Sequence, residues 1–135
     1  MPSTSLSVAH FGHPLLKGAK HWSILVPTAE GRAFEYQISG STKTYEFKAE
    51  EVVLEELQSC MGQVTLGSVD ADRHAEILET LRAVPIQRGN ISWCCHQWVL
   101  EGLAALQEGG FAVTVPTHSD LETMLAQAQS HIVSQ

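Results

Sequence analysis

Residues 92–99 read Ser-Trp-Cys-Cys-His-Gln-Trp-Val, and we expect the fold to be organised around this stretch. Ser92 is a good N-cap, and apolar residues follow it at helical spacing. The pattern predicts a helix from Ser92 to about Glu108, where a glycine pair ends it. Cys95 would then lie in the first turn, where unpaired backbone N–H groups and the helix dipole favour a thiolate. A cysteine there needs only a histidine from elsewhere in the chain to become a candidate nucleophile.

Length and composition indicate a single domain spanning residues 1–135, large enough to bury a core. The formal net charge of -7 argues against partners such as nucleic acid or an anionic membrane surface. No apolar stretch reaches the roughly 20 residues that span a bilayer, and no secretory signal is visible. Two of the three cysteines are adjacent, which does not suggest a disulfide framework. We therefore expect a cytoplasmic protein with reduced thiols and no cofactor.

The first half of the chain predicts strands. Residues 1–20 are rich in Ser, Gly, Pro and His and predict an irregular lead-in. Residues 21–27 are short and apolar, and residues 32–38 alternate, so the two segments predict an antiparallel hairpin. Further strands are predicted near residues 44–48 and over residues 63–69.

The second half predicts helices. One helix, capped by Asp70 or Asp72, should run to about Val84, where a proline follows. The helix that begins at Ser92 comes next. A last amphipathic helix over residues 119–134 should open with a capping box formed by a serine and the glutamate three residues later. Strands first and helices later is an α+β pattern.

The candidate base is His21, 74 positions before Cys95. On the neighbouring strand, Glu35 could accept a hydrogen bond from the imidazole, hold its tautomer and stabilise its charged form. Gln37 lies on the same face as Glu35, and the sequence does not choose between them as the third site residue. The ordinary alternatives are a partly exposed edge histidine and a solvated strand face.

The two adjacent thiols have to be ranked. On a helix, Cys94 and Cys95 point about 100° apart, so we expect only one to face a site. Helical spacing alone does not decide which one. Together with His96 they form a contiguous run, whereas structural zinc sites space their cysteines as Cys-x-x-Cys. We therefore predict no metal site here.

The two key segments resemble those of circularly permuted papain-fold proteins, the group of lecithin:retinol acyltransferase-like enzymes and NlpC-like peptidases. Residues 21–26, His-Trp-Ser-Ile-Leu-Val, resemble the histidine strand of the group. Residues 94–99, Cys-Cys-His-Gln-Trp-Val, resemble its cysteine helix, with Cys95 at the nucleophile position. The resemblance covers about residues 20–108. Two positions depart from the pattern, since Cys94 replaces an asparagine and Glu35 replaces a histidine.

The resemblance implies a small antiparallel sheet packed against helices, with the nucleophile at a helix N-terminus. It implies a thiol hydrolase or acyltransferase that forms a thioester from a small-molecule or peptide substrate. The catalytic residues would be Cys95, His21 and Glu35. Three tryptophans would line an apolar substrate site: Trp22, Trp93 and Trp98. The ordinary alternative is that they pack in the core. Two other functions stay open, a biosynthetic cyclase or isomerase that uses the same residues, and a non-catalytic binding module.

Overall fold

The computed structural model describes residues 3–11, 21–29, 31–40, 43–53, 60–70, 72–90 and 93–133. Within these ranges an antiparallel sheet packs against helices, which confirms the α+β class. The strands are β1 (Ser3–Phe11), β2 (His21–Ala29), β3 (Arg32–Ser39), β4 (Glu46–Val53), β5 (Cys60–Asp70) and β6 (Ala112–Val113). The helices are α1 (His74–Arg82), α2 (Cys95–Glu108) and α3 (His118–Val133). The sheet order is β4-β3-β2-β1-β5-β6, and every neighbouring pair is antiparallel.

The predicted irregular lead-in is wrong for residues 3–11. They form β1, which lies in the interior of the sheet between β2 and β5. Leu6 and Val8 enter the hydrophobic core, while Ser7 and Ala9, on the alternate strand positions, are also buried. Small residues carry little hydrophobic signal, so the alternation is weak in the sequence although the strand is buried. The remainder of the predicted lead-in lies outside the described residues.

The predicted hairpin is confirmed by β2 and β3. Leu25 lies opposite Glu35, and Ile24 lies opposite Tyr36. Gly31 forms part of the turn with a positive φ of 78°, a conformation that glycine adopts at little steric cost. Because the strands are antiparallel, the beginning of β2 and the end of β3 meet at one end of the sheet. This end carries His21.

The predicted helices are present, but all three begin at other residues. α1 begins after Arg73, so neither Asp70 nor Asp72 is its cap. The predicted cap of α2, Ser92, lies outside the described residues, and the helix starts at Cys95 with Cys94 as its N-cap. The side-chain oxygen of Gln97 accepts a hydrogen bond from the backbone N–H of Cys94 at 2.8 Å. A glutamine at the third helical position thus stabilises this start.

The start of α3 lies one residue before the predicted one. Thr117 Oγ1 accepts a hydrogen bond from the backbone N–H of Asp120 at 3.1 Å, the geometry of an N-cap. Ser119 therefore lies inside the helix and is not its cap. This shift places His118 in the first turn and Glu122 one turn later.

The helices bury one face of the sheet. α2 packs on β2, β3 and α1, and α3 packs on β5. The largest fully buried side chains come from both layers: Trp22, Trp98, Tyr36, Leu6, Ile24, Ile38, Ile77, Leu81, Leu103, Leu106, Leu121 and Leu125. At Gly67 the backbone of β6 comes close, because a Cβ there would lie 2.9 Å from the Cα of Val113. Among the described residues, no helix has the length and apolar character needed to cross a membrane.

Candidate active site

A cavity of about 470 Å³ lies where β2 begins, β3 ends and α2 begins. It brings together His21 and both adjacent cysteines, which lie 73 and 74 positions further along the chain. The described residues that line it are His21, Ile38, Ser39, Gly40, Tyr45, Cys94, Cys95 and His96. The fold thus unites the histidine and the thiols that the sequence singles out.

Both cysteines line this cavity and their Sγ atoms lie within 4.8 Å of each other, so the expectation that only one could face a site is wrong. A separation of about 100° requires both cysteines to be helical residues. Cys94 instead precedes the helix and has extended backbone angles, φ -149° and ψ -168°. Its side chain is therefore not rotated from that of Cys95 by one helical step. Both are half-buried free cysteines.

The Cys95 thiol does not rest as a thiolate at neutral pH. Burial raises its pKa from 9.0 to about 11, and the neighbouring Cys94 also raises it. Hydrogen bonds to the backbone of Trp22 and to the backbone of Cys95 itself lower the pKa, but they do not offset the burial. The helix start therefore supplies stabilising backbone groups, as expected, while desolvation determines the protonation state.

Gln37, on the neighbouring strand β3, holds His21 in place by a hydrogen bond. The Nε2 atom of His21 lies 2.5 Å from Oε1 of Gln37, and Nε2 of Gln37 donates to Oε1 of Glu35 at 3.0 Å. Since a carboxylate only accepts, the amide N–H group faces Glu35 and the amide oxygen faces His21. His21 must then carry its proton on Nε2. Nδ1 retains a lone pair.

The predicted direct contact between Glu35 and His21 is therefore replaced by a contact through Gln37. Glu35 is 6% exposed, and Ser23 Oγ donates to its Oε2 at 3.0 Å. Its face of the hairpin is thus buried and is not a solvated strand face. Glu35 sets the tautomer of the imidazole indirectly, by orienting the amide between them. Gln37 shares this strand face and lies nearer His21, a signal already present in the alternation of β3.

The three tryptophans belong to the core and do not line this cavity. Trp98 is fully buried and packs near Phe47 with ring centroids 6.0 Å apart. The indole N–H of Trp93 donates to Glu101 at 2.7 Å. Trp22 stacks on the ring of His96. Among the described lining residues, Ile38 and Tyr45 are the larger apolar side chains.

A second group of polar side chains lies beside this cavity, and no pattern in the sequence indicates it. His96 Nδ1 lies 3.0 Å from His118 Nε2, and a Glu122 oxygen lies within 4.8 Å of the ligating atoms of both histidines. Trp22 stacks on both imidazoles, with centroid distances of 3.8 and 5.2 Å. His118 and Glu122 are 22 and 26 positions beyond His96, so no local spacing reveals the group.

Comparison with known proteins places the chain in a family. No curated protein matches it, and no solved structure matches it. A family profile described as a family of unknown function, DUF6914, matches residues 7–135. Because the match covers nearly the whole chain, including the cavity and the histidine group, the protein belongs to this family, DUF6914.

Proposed function

We propose that the protein is a cysteine-dependent hydrolase or acyltransferase that acts through a thioester on an amide or ester carbonyl. Cys95 is the nucleophile, His21 is the base, and Gln37 positions the base. The observation that carries the proposal is the shared cavity, which is lined by both His21 and Cys95, the first residue of α2. A histidine, a thiol and a helix start in one cavity are the parts that thiol acyl chemistry requires.

The reaction begins with a neutral thiol. Because the pKa of Cys95 is about 11, the sulfur needs a base at the moment of attack. The proton passes from Sγ to Nδ1 of His21 as sulfur bonds to the carbonyl carbon. The tetrahedral intermediate expels its leaving group, which takes the proton back from the imidazolium. Water or an amine then attacks the thioester and gives its proton to His21, and His21 returns this proton to the departing sulfur of Cys95.

Backbone donors beside the sulfur of Cys95 stabilise negative charge there. The backbone groups of Trp22 and Cys95 lower the pKa of the Cys95 thiol, so they favour negative charge beside the sulfur. The N–H of Cys95 also belongs to the first turn of α2, where backbone N–H groups have no partner within the helix. Such fixed donors stabilise an oxyanion without reorganisation.

The cavity suggests a small acyl group as substrate. Its volume of about 470 Å³ lies in the range of small-molecule sites, about 300–1,000 Å³. The half-buried Tyr45 offers apolar surface, while Ser39 and Gly40 at the end of β3 add backbone and hydroxyl polarity. The order of a histidine strand followed by a cysteine helix, on an antiparallel sheet, supports the permuted papain-like relationship as part of the same proposal.

A second function is favoured by the protonated thiol. A cyclase or isomerase would use the neutral Cys95 thiol as an acid and His21 as a base, without a covalent intermediate. The pKa of about 11 suits a proton donor at neutral pH better than a resting nucleophile. In that case Cys95→Ser should retain part of the activity, whereas His21→Ala should abolish it.

Acyl transfer to the protein distinguishes these functions. The wild-type chain is incubated with p-nitrophenyl acetate, and the modified residue is identified by mass spectrometry. We expect acetylation of Cys95, its loss in C95A, and its slowing by about 100-fold or more in H21A. C94A, the matched control on the adjacent thiol, should keep acetylation of Cys95. Acetylation of Cys94 in the wild type, or an H21A rate equal to the wild-type rate, would contradict the proposal.

A further inference from the structure

The starts of α2 and α3 meet at three side chains that the proposed acyl chemistry does not use. They are His96 in the first turn of α2, His118 in the first turn of α3, and Glu122 one turn further along α3. Residues four apart on a helix lie on one face, so His118 and Glu122 both project toward His96. The ligating atoms of all three lie within 4.8 Å of one another.

The spacing of these atoms is that of metal ligands. A tetrahedral zinc ion with bonds of about 2.0–2.2 Å holds its ligand atoms about 3.3 Å apart. The two imidazole nitrogens are already 3.0 Å apart. Trp22 lies nearly parallel to the His96 ring, with an interplanar angle of 14°, so packing fixes the direction of this ring. Only a small closing movement of Glu122 is needed to complete the set.

We infer that His96 Nδ1, His118 Nε2 and the carboxylate of Glu122 bind a zinc ion. Two imidazoles and one carboxylate are a ligand set that zinc accepts, and three protein ligands leave one tetrahedral position open. Burial is graded across the site, since His96 is 3% exposed, His118 is half-buried and Glu122 is exposed. The open position therefore faces solvent, which provides an entry path. The net charge of -7 also favours a cation.

Hydrogen bonding between the imidazoles is the simplest competing explanation. A neutral imidazole pair needs one proton between Nδ1 of His96 and Nε2 of His118, and it needs no carboxylate. Zinc needs lone pairs on both nitrogens, so His96 would carry its proton on Nε2 and His118 on Nδ1. Glu122 thus distinguishes the two explanations, because only the metal requires it.

The adjacent thiols offer a competing metal site. The ligating atoms of Cys94, Cys95 and His96 also lie within 4.8 Å of one another. Both thiols line the cavity with His21, however, and His96 Nδ1 points to His118. A zinc ion on the His118 side would join the start of α2 to the start of α3 and leave the thiols in the cavity.

Metal titration of the 135-residue chain tests the inference. The protein is stripped with a chelator and titrated with Zn²⁺ by calorimetry, and Co²⁺ absorption then reports the ligand geometry. We expect a single Zn²⁺ ion per chain and a tetrahedral Co²⁺ spectrum without thiolate charge transfer. H118Q and E122Q should each weaken Zn²⁺ binding by at least about tenfold, the lower end of what even outer partners of a metal site contribute. E122Q changes an exposed side chain, so its fold should be retained.

Two control variants complete the experiment. E79Q replaces an exposed glutamate on α1, and C94S/C95S removes both thiols; each should keep the wild-type Zn²⁺ affinity within about twofold. Absence of Zn²⁺ binding to the wild-type chain at millimolar concentration would overturn the inference. If E122Q keeps the wild-type Zn²⁺ affinity, the inference is wrong and His96 and His118 form only a hydrogen-bonded pair. Loss of binding in C94S/C95S but not in H118Q would move the metal to the thiols.

Discussion

His21 Nε2 and Gln37 Oε1 are joined by a hydrogen bond of 2.5 Å, and this bond connects the cavity to the buried centre of the hairpin. Glu35 orients the amide of Gln37, and Ser23 in turn donates to Glu35. The four side chains form one hydrogen-bonded series along β2 and β3. Its last member, His21, lines the cavity together with Cys94 and Cys95.

Removing the amide should release the imidazole. Gln37→Leu keeps the approximate volume but provides no acceptor for Nε2 of His21, so the ring can adopt other tautomers and orientations. We expect acetylation of Cys95 by p-nitrophenyl acetate to slow by about 100-fold, the effect of a small misplacement of a catalytic group. The rate is measured by intact mass at pH 7. Circular dichroism should show an unchanged secondary structure, and an unchanged rate would mean that Gln37 does not position His21.

Glu35 should act on the same step through Gln37. In Glu35→Gln the second amide can donate as well as accept, so the orientation of the Gln37 amide is no longer determined. We expect a slowing of about tenfold, smaller than for Gln37→Leu. The double variant E35Q/Q37L should be no slower than Q37L alone, because the two residues act in series. Multiplicative effects in the double variant would show that Glu35 reaches His21 by another route.

Alkaline pH should destabilise the fold through Cys95 and Tyr36, two acids whose pKa is raised by desolvation. Burial raises the pKa of Cys95 from 9.0 to about 11 and the pKa of Tyr36 from 10.0 to about 12. Each group keeps its proton in the folded state at a pH where the unfolded chain has lost it, so unfolding releases a proton. The free energy of unfolding should therefore fall as pH rises, by up to about 3 kcal/mol for each group.

Urea denaturation at pH 7, 9, 10 and 11 measures this loss. C95S should remove the part between about pH 9 and 11, and Y36F should remove the part above about pH 10. Both variants should leave the pH dependence below pH 8 unchanged, because both groups are protonated there in either state. An identical alkaline loss in wild type, C95S and Y36F would assign it to other groups.

The start of α3 gives a stability prediction with an internal control. Thr117→Ala removes the acceptor for the backbone N–H of Asp120 and should lower the free energy of unfolding by about 1 kcal/mol. Ser119→Ala, two residues later, changes an exposed side chain within the helix and should cost less than about 0.5 kcal/mol. Urea denaturation at pH 7 measures both values. If Ser119→Ala lowers the free energy of unfolding more than Thr117→Ala does, then Ser119 is the N-cap, as the sequence predicts.

A methyl group added at Gly67 should push β5 and β6 apart. The added Cβ would meet the backbone of Ala112 and Val113, which cannot move like a side chain. We expect Gly67→Ala to lower the free energy of unfolding by about 1–3 kcal/mol and to increase amide hydrogen exchange in β6. Gly89→Ala is a different control, since its Cβ meets open space and only its positive φ of 81° is strained. Unchanged exchange in β6 would show that the strand pair relaxes around the methyl.

Local patterns in the sequence predict the parts of the fold whose periodicity is strong. The alternation from Arg32 onward and the apolar run from His21 predict the hairpin, and the apolar face after Cys95 predicts α2. These elements bury large side chains on one face, so the pattern is recorded in the sequence itself. Helix starts are less well determined, because Thr117 and Ser119 can each supply a capping oxygen.

The sequence by itself also determines which residues could do chemistry, namely His21, Cys94, Cys95 and the polar face of β3. Only the tertiary structure decides how they combine. It makes β1 an interior strand although its residues are small, and it inserts Gln37 between His21 and Glu35. It places both cysteines at one cavity because the backbone of Cys94 is extended. These outcomes depend on contacts between residues far apart in the chain, and local periodicity does not encode such contacts. The meeting of His96 with His118 and Glu122 has the same origin, the packing of α2 and α3 on one sheet.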